Sequence, residues 1–310
     1  MKTALLSRTS QSVALLMMTS AISKGTEGLP SVVHPLPDIA AAAAANSKVI
    51  ALDGVFKLDG IDGDVARFAT SKGNMDVELF KKDAPKTVAN FLKYVKRGTY
   101  SGTFIHFSDP DFVFQGGNYS LVDGETTVVI PDAPVANEFK VSNTRGTIGM
   151  SKFTSDPDSA TNQWFFNESN ENAAKLDHDN GGYTVFGKII GQKGLHVMDT
   201  IGALPVENLG YPFDHLPVVN HKKGDPITNK NLVEVKSIKV IPLLSGSPKG
   251  TALLKLSVSK NSNPAVVKAS VSGKSLILKY PGKSGKAVID VTAEYSGGGT
   301  ATDSFTVTKK

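Results

Sequence analysis

The sequence contains no cysteine. That absence excludes disulfides, thiolate metal sites and cysteine nucleophiles together. It leaves the compartment open, because a chain without thiols suits either redox environment. No stretch approaches the roughly 20 apolar residues needed to cross a bilayer, which predicts no transmembrane segment. Gly116-Gly117 lacks the frame of a GxGxxG or Walker loop, and GxSxG is missing altogether, so neither a phosphate cradle nor a hydrolase elbow is indicated. Asp59, Asp62 and Asp64 cluster without calcium-loop spacing, and the six histidines (34, 106, 178, 196, 215, 221) show no metal spacing. The acidic cluster reads as loop turns, and no metal site is expected.

What is there is an ordinary globular composition in 310 residues, 40% apolar without glycine. This length suits about two domains, each large enough for its own core. The net charge of +5 is unevenly placed: after residue 246 stand ten lysines against three acids, and residues 47–246 are net acidic. That distribution argues against a nucleic-acid-binding surface and for one basic end.

The first 46 residues read as a leader. Lys2 and Arg8 precede the apolar run Val13 to Ile22, and Ala40 to Ala45 form a small-residue run. Ten residues fit the apolar region of a signal peptide, with cleavage at Ala21 or within the alanines. The alternative is a disordered or helical N-terminal arm.

From Val65 the pattern becomes regular. Alternating runs Val65–Thr70 and Met75–Phe80 flank Ser71-Lys72-Gly73-Asn74, a hairpin signal with a Gly-Asn turn. Asp83 followed by Ala84-Pro85 predicts a helix start capped by Asp83. Val88, Phe91, Leu92 and Val95 share one helical face, and Gly98 ends the helix. A second amphipathic stretch runs from Leu195 to Ile201, and Leu232–Leu244 reads as a closing strand. Many short strands with two helices predict a mainly β fold, an antiparallel sheet or barrel with helical plugs. After Ser245-Gly246-Ser247-Pro248 five further alternating runs end at Thr308, which predicts a small β-sandwich over 245–310. The expected division is therefore 1–46, 47–244 and 245–310.

Two strands carry amides among apolar residues: Phe112-Val113-Phe114-Gln115-Gly116-Gly117 and Asn162-Gln163-Trp164-Phe165-Phe166-Asn167. Alternation places Phe112 with Phe114 on one face, and Val113 with Gln115 on the other. It likewise sets Gln163 and Phe165 opposite Trp164. A buried amide needs a partner, which is either the surrounding backbone or a ligand peptide.

Residues 65–200 resemble bacterial cyclophilin-type peptidyl-prolyl cis-trans isomerases. The resemblance is carried by Ala66 to Gly73, by Val77-Glu78-Leu79-Phe80 with Ala84 to Phe91, and by Phe112 to Gly117. Arg145-Gly146-Thr147-Ile148-Gly149-Met150, Asp158 to Asn167, Leu176-Asp177 and Gly182 to Lys188 continue it. It implies an eight-stranded antiparallel barrel capped by two helices, with the substrate groove on its outer face. It also implies action on X-Pro bonds of peptides or unfolded proteins, without a cofactor. Phe112, Val113, Phe165 and Leu176 would line the proline pocket, with Tyr183 at the rim. Gln115 and Gln163 would bond the substrate backbone and the catalytic donor, and His106 matches the family's histidine. The family's next residue is an arginine, eight positions before the glutamine; here that position is Phe107. Phenylalanine cannot donate, so the resemblance implies weakened or lost catalysis, or a non-catalytic module that binds proline-containing peptides. Ser151 and Lys152 stand where bacterial members often have Ala-Arg, and Lys175 replaces a large aromatic.

The C-terminal segment resembles the immunoglobulin- or cadherin-like domains of bacterial surface proteins, carried by Val288–Tyr295, Gly297-Gly298-Gly299 and Ala301 to Thr308. That resemblance implies spacing or attachment, with an anionic cell-envelope polymer as one partner for the lysines. Together with the leader it implies a secreted, periplasmic or cell-envelope location.

Overall fold

The computed structural model describes residues 28–122 and 124–310. The apolar run Val13 to Ile22 and the cleavage position at Ala21 lie outside the described residues. Among those described, no helix is long and apolar enough to cross a membrane.

The hydrophobic alternation after Val65 closes into an antiparallel barrel. Around the ring run Glu234–Val240, Val65–Thr70, Gly73–Leu79, Val185–Ile190, Thr147–Met150, Trp164–Asn167 and Val113–Gly116. One bent segment closes it: Thr103–Phe104 pairs with Glu234-Val235, while Phe107–Asp109 pairs with Val113–Gln115. Counting that segment once gives eight strands, as the resemblance implies. A hairpin of Tyr119–Val122 and Glu125–Val128 extends the sheet beside Thr103.

Helices α1 (Pro85–Arg97) and α3 (Gln192–Gly202) pack against the barrel, and a one-turn helix α2 (Ala173–Leu176) stands beside the groove. Gly98 ends α1 in the left-handed conformation, as its position predicts. The start differs from expectation. Ala84 is the N-cap, and the acceptor is Glu138, 51 residues from Thr87, whose carboxylate takes the backbone N–H groups of Lys86 and Thr87. The hairpin turn also differs: Thr70 pairs with Gly73, so Ser71-Lys72 form the loop and Gly73-Asn74 already belong to the strand. Inside the barrel Phe68 stacks on Phe91 and meets Trp164 and Phe166 edge-on. Such pairs each add about 0.5–1.5 kcal/mol beyond burial.

The C-terminal strands do form a two-sheet sandwich, but not from residues 245–310 alone. One sheet runs Leu254–Asn261, Gly285–Tyr295, Thr300–Lys309 and Ile39–Ala41; the other runs Lys268–Ser272, Ser275–Lys279 and Ser47–Ala51. Residues 28–46, expected as part of a leader or loose arm, therefore include a strand of the sandwich. Ile39–Ala41 pairs in parallel with Val307–Lys309, and Ser47–Ala51, expected with the barrel, pairs with Ser275–Lys279. The physical reason is separation. Strands of three to five residues carry almost no local periodicity, and their partners lie more than 220 positions away.

The two units share their packing. Val65, Ile190 and Ile241 of the barrel region belong to the same apolar cluster as Leu278, Ile289 and Phe305. Over it, Asp76 accepts two hydrogen bonds from Arg67, at 2.6 and 2.8 Å, and one from the buried Tyr295 hydroxyl at 3.0 Å. Arg67 also reaches Ser296. The hydrogen bond to Asp76 is the main cause of a raised Arg67 pKa.

Candidate active site

A groove of about 360 Å³ opens on the barrel wall, lined by Phe107, Phe112, Val113, Gln115, Phe165, Leu176 and Tyr183, with Ser151, Lys152, Thr154, Lys175 and Asp179 around them. Its floor is apolar: Val113, Phe165 and Leu176 are buried, and Phe107, Phe112 and Tyr183 pack on them. Strand pairing brings these residues together. Gln115 faces Phe165 across one strand boundary and Phe107 across the other.

Simple alternation misplaces Phe112. The count puts it with Phe114, which lies in the barrel core, yet Phe112 lines the groove with Val113. Asp111 explains this, because its φ of 64° turns the chain before the strand begins at Val113. Alternation does hold for Gln115, Trp164 and Phe165. Trp164 is fully buried, against Gly116 and Gly117; a Cβ at either glycine would stand within 2.8 Å of its ring. Those two glycines make room for an indole. Gly149 does the same for the groove, since a Cβ there would stand 2.5 Å from the Phe165 ring.

The two glutamines meet each other. Gln115 Nε2 donates to Gln163 Oε1 at 2.6 Å, which leaves Gln115 a second N–H and a carbonyl oxygen for a bound peptide. Gln163 and His106 stand behind the groove rather than among its lining residues. His106 is 3% exposed, with the Tyr119 ring edge-on at 4.8 Å. Burial pushes its pKa down to about 4, against an opposing hydrogen bond with Gln163. It is a neutral imidazole near pH 7, hydrogen-bonded to Gln163 and outside the groove lining.

Phe107 takes the place beside Gln115. Its ring lies 5.2 Å from that of His215, whose carbonyl accepts from the Ser108 N–H at 2.8 Å. Lys152, also among the lining residues, is held from one side. Its Nζ donates to the carbonyls of Asn180 and Gly182, both at 2.8 Å, and lies over the Tyr183 ring.

Behind the floor is a network that the motif reading missed. Asn172 donates to the Phe112 carbonyl at 2.6 Å and to Asn167; Asn167 donates to Asn143 and Thr147. Asn143 in turn donates to Asp177 and to the Tyr183 carbonyl. Burial acts to raise the Asp177 pKa, but hydrogen bonds from Ser142 and Asn143 outweigh it and the net shift is downward. The chain fixes Phe112, Leu176 and Tyr183 relative to one another. The one signal available was the density of asparagine in 167–172, which marks side chains able to satisfy irregular backbone.

The fold and groove define an antiparallel β-barrel with an apolar pocket on its wall and the Gln115 amide among its lining residues. The family model "Cyclophilin type peptidyl-prolyl cis-trans isomerase/CLD" matches residues 65–223. A peptidyl-prolyl cis-trans isomerase of Acinetobacter baylyi is 40% identical over 143 residues, covering 46% of this chain and 73% of the relative. Peptidyl-prolyl cis-trans isomerase A of Dickeya dadantii is 42% identical over 152 residues, covering 48% and 75%. Among solved structures, a cyclophilin-type isomerase of Cryptosporidium parvum covers 57% of this chain and 99% of its own, at 23% identity and a TM-score of 0.43. The chain belongs to the cyclophilin-type peptidyl-prolyl cis-trans isomerase family. The sandwich strands lie outside the matched residues.

Proposed function

We propose that this protein acts on X-Pro bonds of exported polypeptides as an isomerase whose catalysis is weakened by Phe107. Amide resonance sets a rotation barrier of about 18–20 kcal/mol, and X-Pro bonds exchange over tens to hundreds of seconds unaided. A catalyst needs a pocket for the proline ring, polar groups for the neighbouring backbone, and a donor that binds the imide nitrogen better once resonance is lost. The groove supplies the first through Phe112, Val113, Phe165 and Leu176, and the second through Gln115.

The observation that carries the reading is the residue paired with Gln115. At the position where the family places its arginine stands a phenyl ring that lines the groove and donates nothing. Removing one such donor typically costs about 10²–10³ in rate, so slow turnover on an intact binding site is expected. Exchange NMR on a blocked proline peptide tests this. Cis-trans exchange faster than the uncatalysed rate, with shifts at Phe112 and Phe165, supports a weak isomerase. Shifts without faster exchange favour the second reading, a non-catalytic proline-peptide-binding module, and no shifts at all would sink both.

Export rests on the leader pattern, and attachment on the sandwich. The sandwich is immunoglobulin- or cadherin-like in our reading, and its lysines suit an anionic envelope polymer. Lys268 stands directly opposite Lys279 across two strands, both exposed, an arrangement that costs stability unless an anion lies over it. N-terminal sequencing of protein recovered from envelope and culture fractions tests export. Salt-independent retention on cell-wall material would argue against the polymer.

A further inference from the structure

We propose that the groove selects proline segments carrying a carboxylate side chain beside the proline, and that Lys152 and Lys175 read that charge. The inference deepens the proline-peptide reading and rests on it.

Both lysines line the groove. Lys152 Nζ lies 4.8 Å from the centre of the Tyr183 ring, and Lys175 Nζ lies 5.6 Å from the centre of the Phe112 ring. Each ammonium thus stands over a ring that packs on the apolar floor. Lys152 is held in place by the carbonyls of Asn180 and Gly182, and one of its three N–H groups remains. Among the described residues neither lysine makes a salt bridge. The acids that act on Lys152 from a distance, Asp158 and Asp156, are occupied: Asp158 accepts from the Asn137 N–H at 2.7 Å, and Asp156 from the Asp158 N–H at 2.9 Å. Asp179 is the sole acid among the lining residues, so the lining holds two cations against one anion.

Apolar walls strengthen this imbalance. An ammonium beside aromatic rings attracts a carboxylate more strongly than one in open water, because less solvent screens it. Burial lowers the Lys152 pKa, and the more distant Asp158 and Asp156 offset it only in part. A purely structural role accounts for Lys152, which clamps residues 180–182. It does not account for Lys175, which is exposed and donates to no described carbonyl.

The test is a set of matched blocked tetrapeptides, differing only in Glu, Gln or Lys beside the proline, titrated into the full chain. At low salt the Glu peptide should bind about fivefold tighter than the Gln peptide, the scale of one partly screened ion pair. The Lys peptide should bind weaker still, and the Glu advantage should shrink at 0.5 M salt, where screening is stronger. Lys175→Gln should reduce the Glu-to-Gln affinity ratio, and Lys175→Glu should invert it. Equal affinities for the Glu and Gln peptides at low salt would overturn the selectivity while leaving proline binding intact. Failure of all three peptides to bind would overturn both readings.

Discussion

On the proposal that Phe107 weakens catalysis, Phe107→Arg should speed proline isomerisation. Phe107 is half-buried, paired with Gln115 and packed on the Val113, Phe165 and Leu176 floor, with His215 on its other side. Replacing the ring gives up part of that contact. The cost should stay near 1 kcal/mol, below the about 3–5 kcal/mol of a fully buried aromatic. An arginine can keep its methylenes on the same floor and extend the guanidinium into a groove of about 360 Å³. A donor placed where the imide lone pair develops is worth about 2.7–4 kcal/mol, so kcat/KM should rise about 10²–10³. Phe107→Lys should gain less, because an ammonium is a point charge without the planar fork. The assay is cis-trans exchange on a proline peptide at fixed concentration, with peptide affinity measured alongside. If Phe107→Arg binds the peptide as wild type does and exchanges it no faster, position 107 does not supply the missing donor and the catalytic argument fails.

Three further outcomes follow from the packing. Gly149→Ala would set a methyl 2.5 Å from the Phe165 ring; the ring should be driven into the groove, lowering peptide affinity at least tenfold at a stability cost of about 1–3 kcal/mol, read by titration and denaturant melts. Glu168 is pushed up to about 7, first by burial and then by Asp111 and Asp199, and its Oε1 has no hydrogen-bond partner among the described residues. Because its folded pKa lies above its unfolded one, the stability it allows is full below about pH 4.5 and is lost as pH rises through about 7. Glu168→Gln should therefore raise stability at pH 8 by about 1–2 kcal/mol, solvent screening included, and change little at pH 4; equal effects at both pH values would refute the linkage. Tyr295→Phe removes the buried hydrogen bond to Asp76 and should cost about 1.5–3 kcal/mol in urea unfolding, the scale for a bond to a charged group.

How far the sequence could be read depended on the range of each interaction. The barrel strands, the end of α1 at Gly98 and the groove floor were legible because each is announced within a few residues. Alternation exposes a strand, glycine marks a left-handed cap, and ordered motifs identify a family. Val113, Gln115 and Phe165 reach the groove as alternation places them; Phe112, Leu176 and Tyr183 reach it as the ordered motifs imply. What escaped was decided across distance. The acceptor for α1 was assigned to the neighbour Asp83, but a carboxylate far along the chain at Glu138 does the work. His106 was expected at the groove because it adjoins position 107, and it is buried beside Gln163, outside the groove lining. The largest displacement concerns residues 28–58. Nothing local distinguishes Ile39–Ala41 from a small-residue linker; only the open edge of Thr300–Lys309 makes it a strand. The sandwich therefore cannot be a detachable C-terminal unit. A cut at 245 would strip Ile39–Ala41 and Ser47–Ala51 of their partners and uncover Val65, Ile190 and Ile241 on the barrel. Residues 39–51, before the barrel, and the strands after it fold on each other, and that sets the groove-bearing barrel on a scaffold built from both sides of it in sequence.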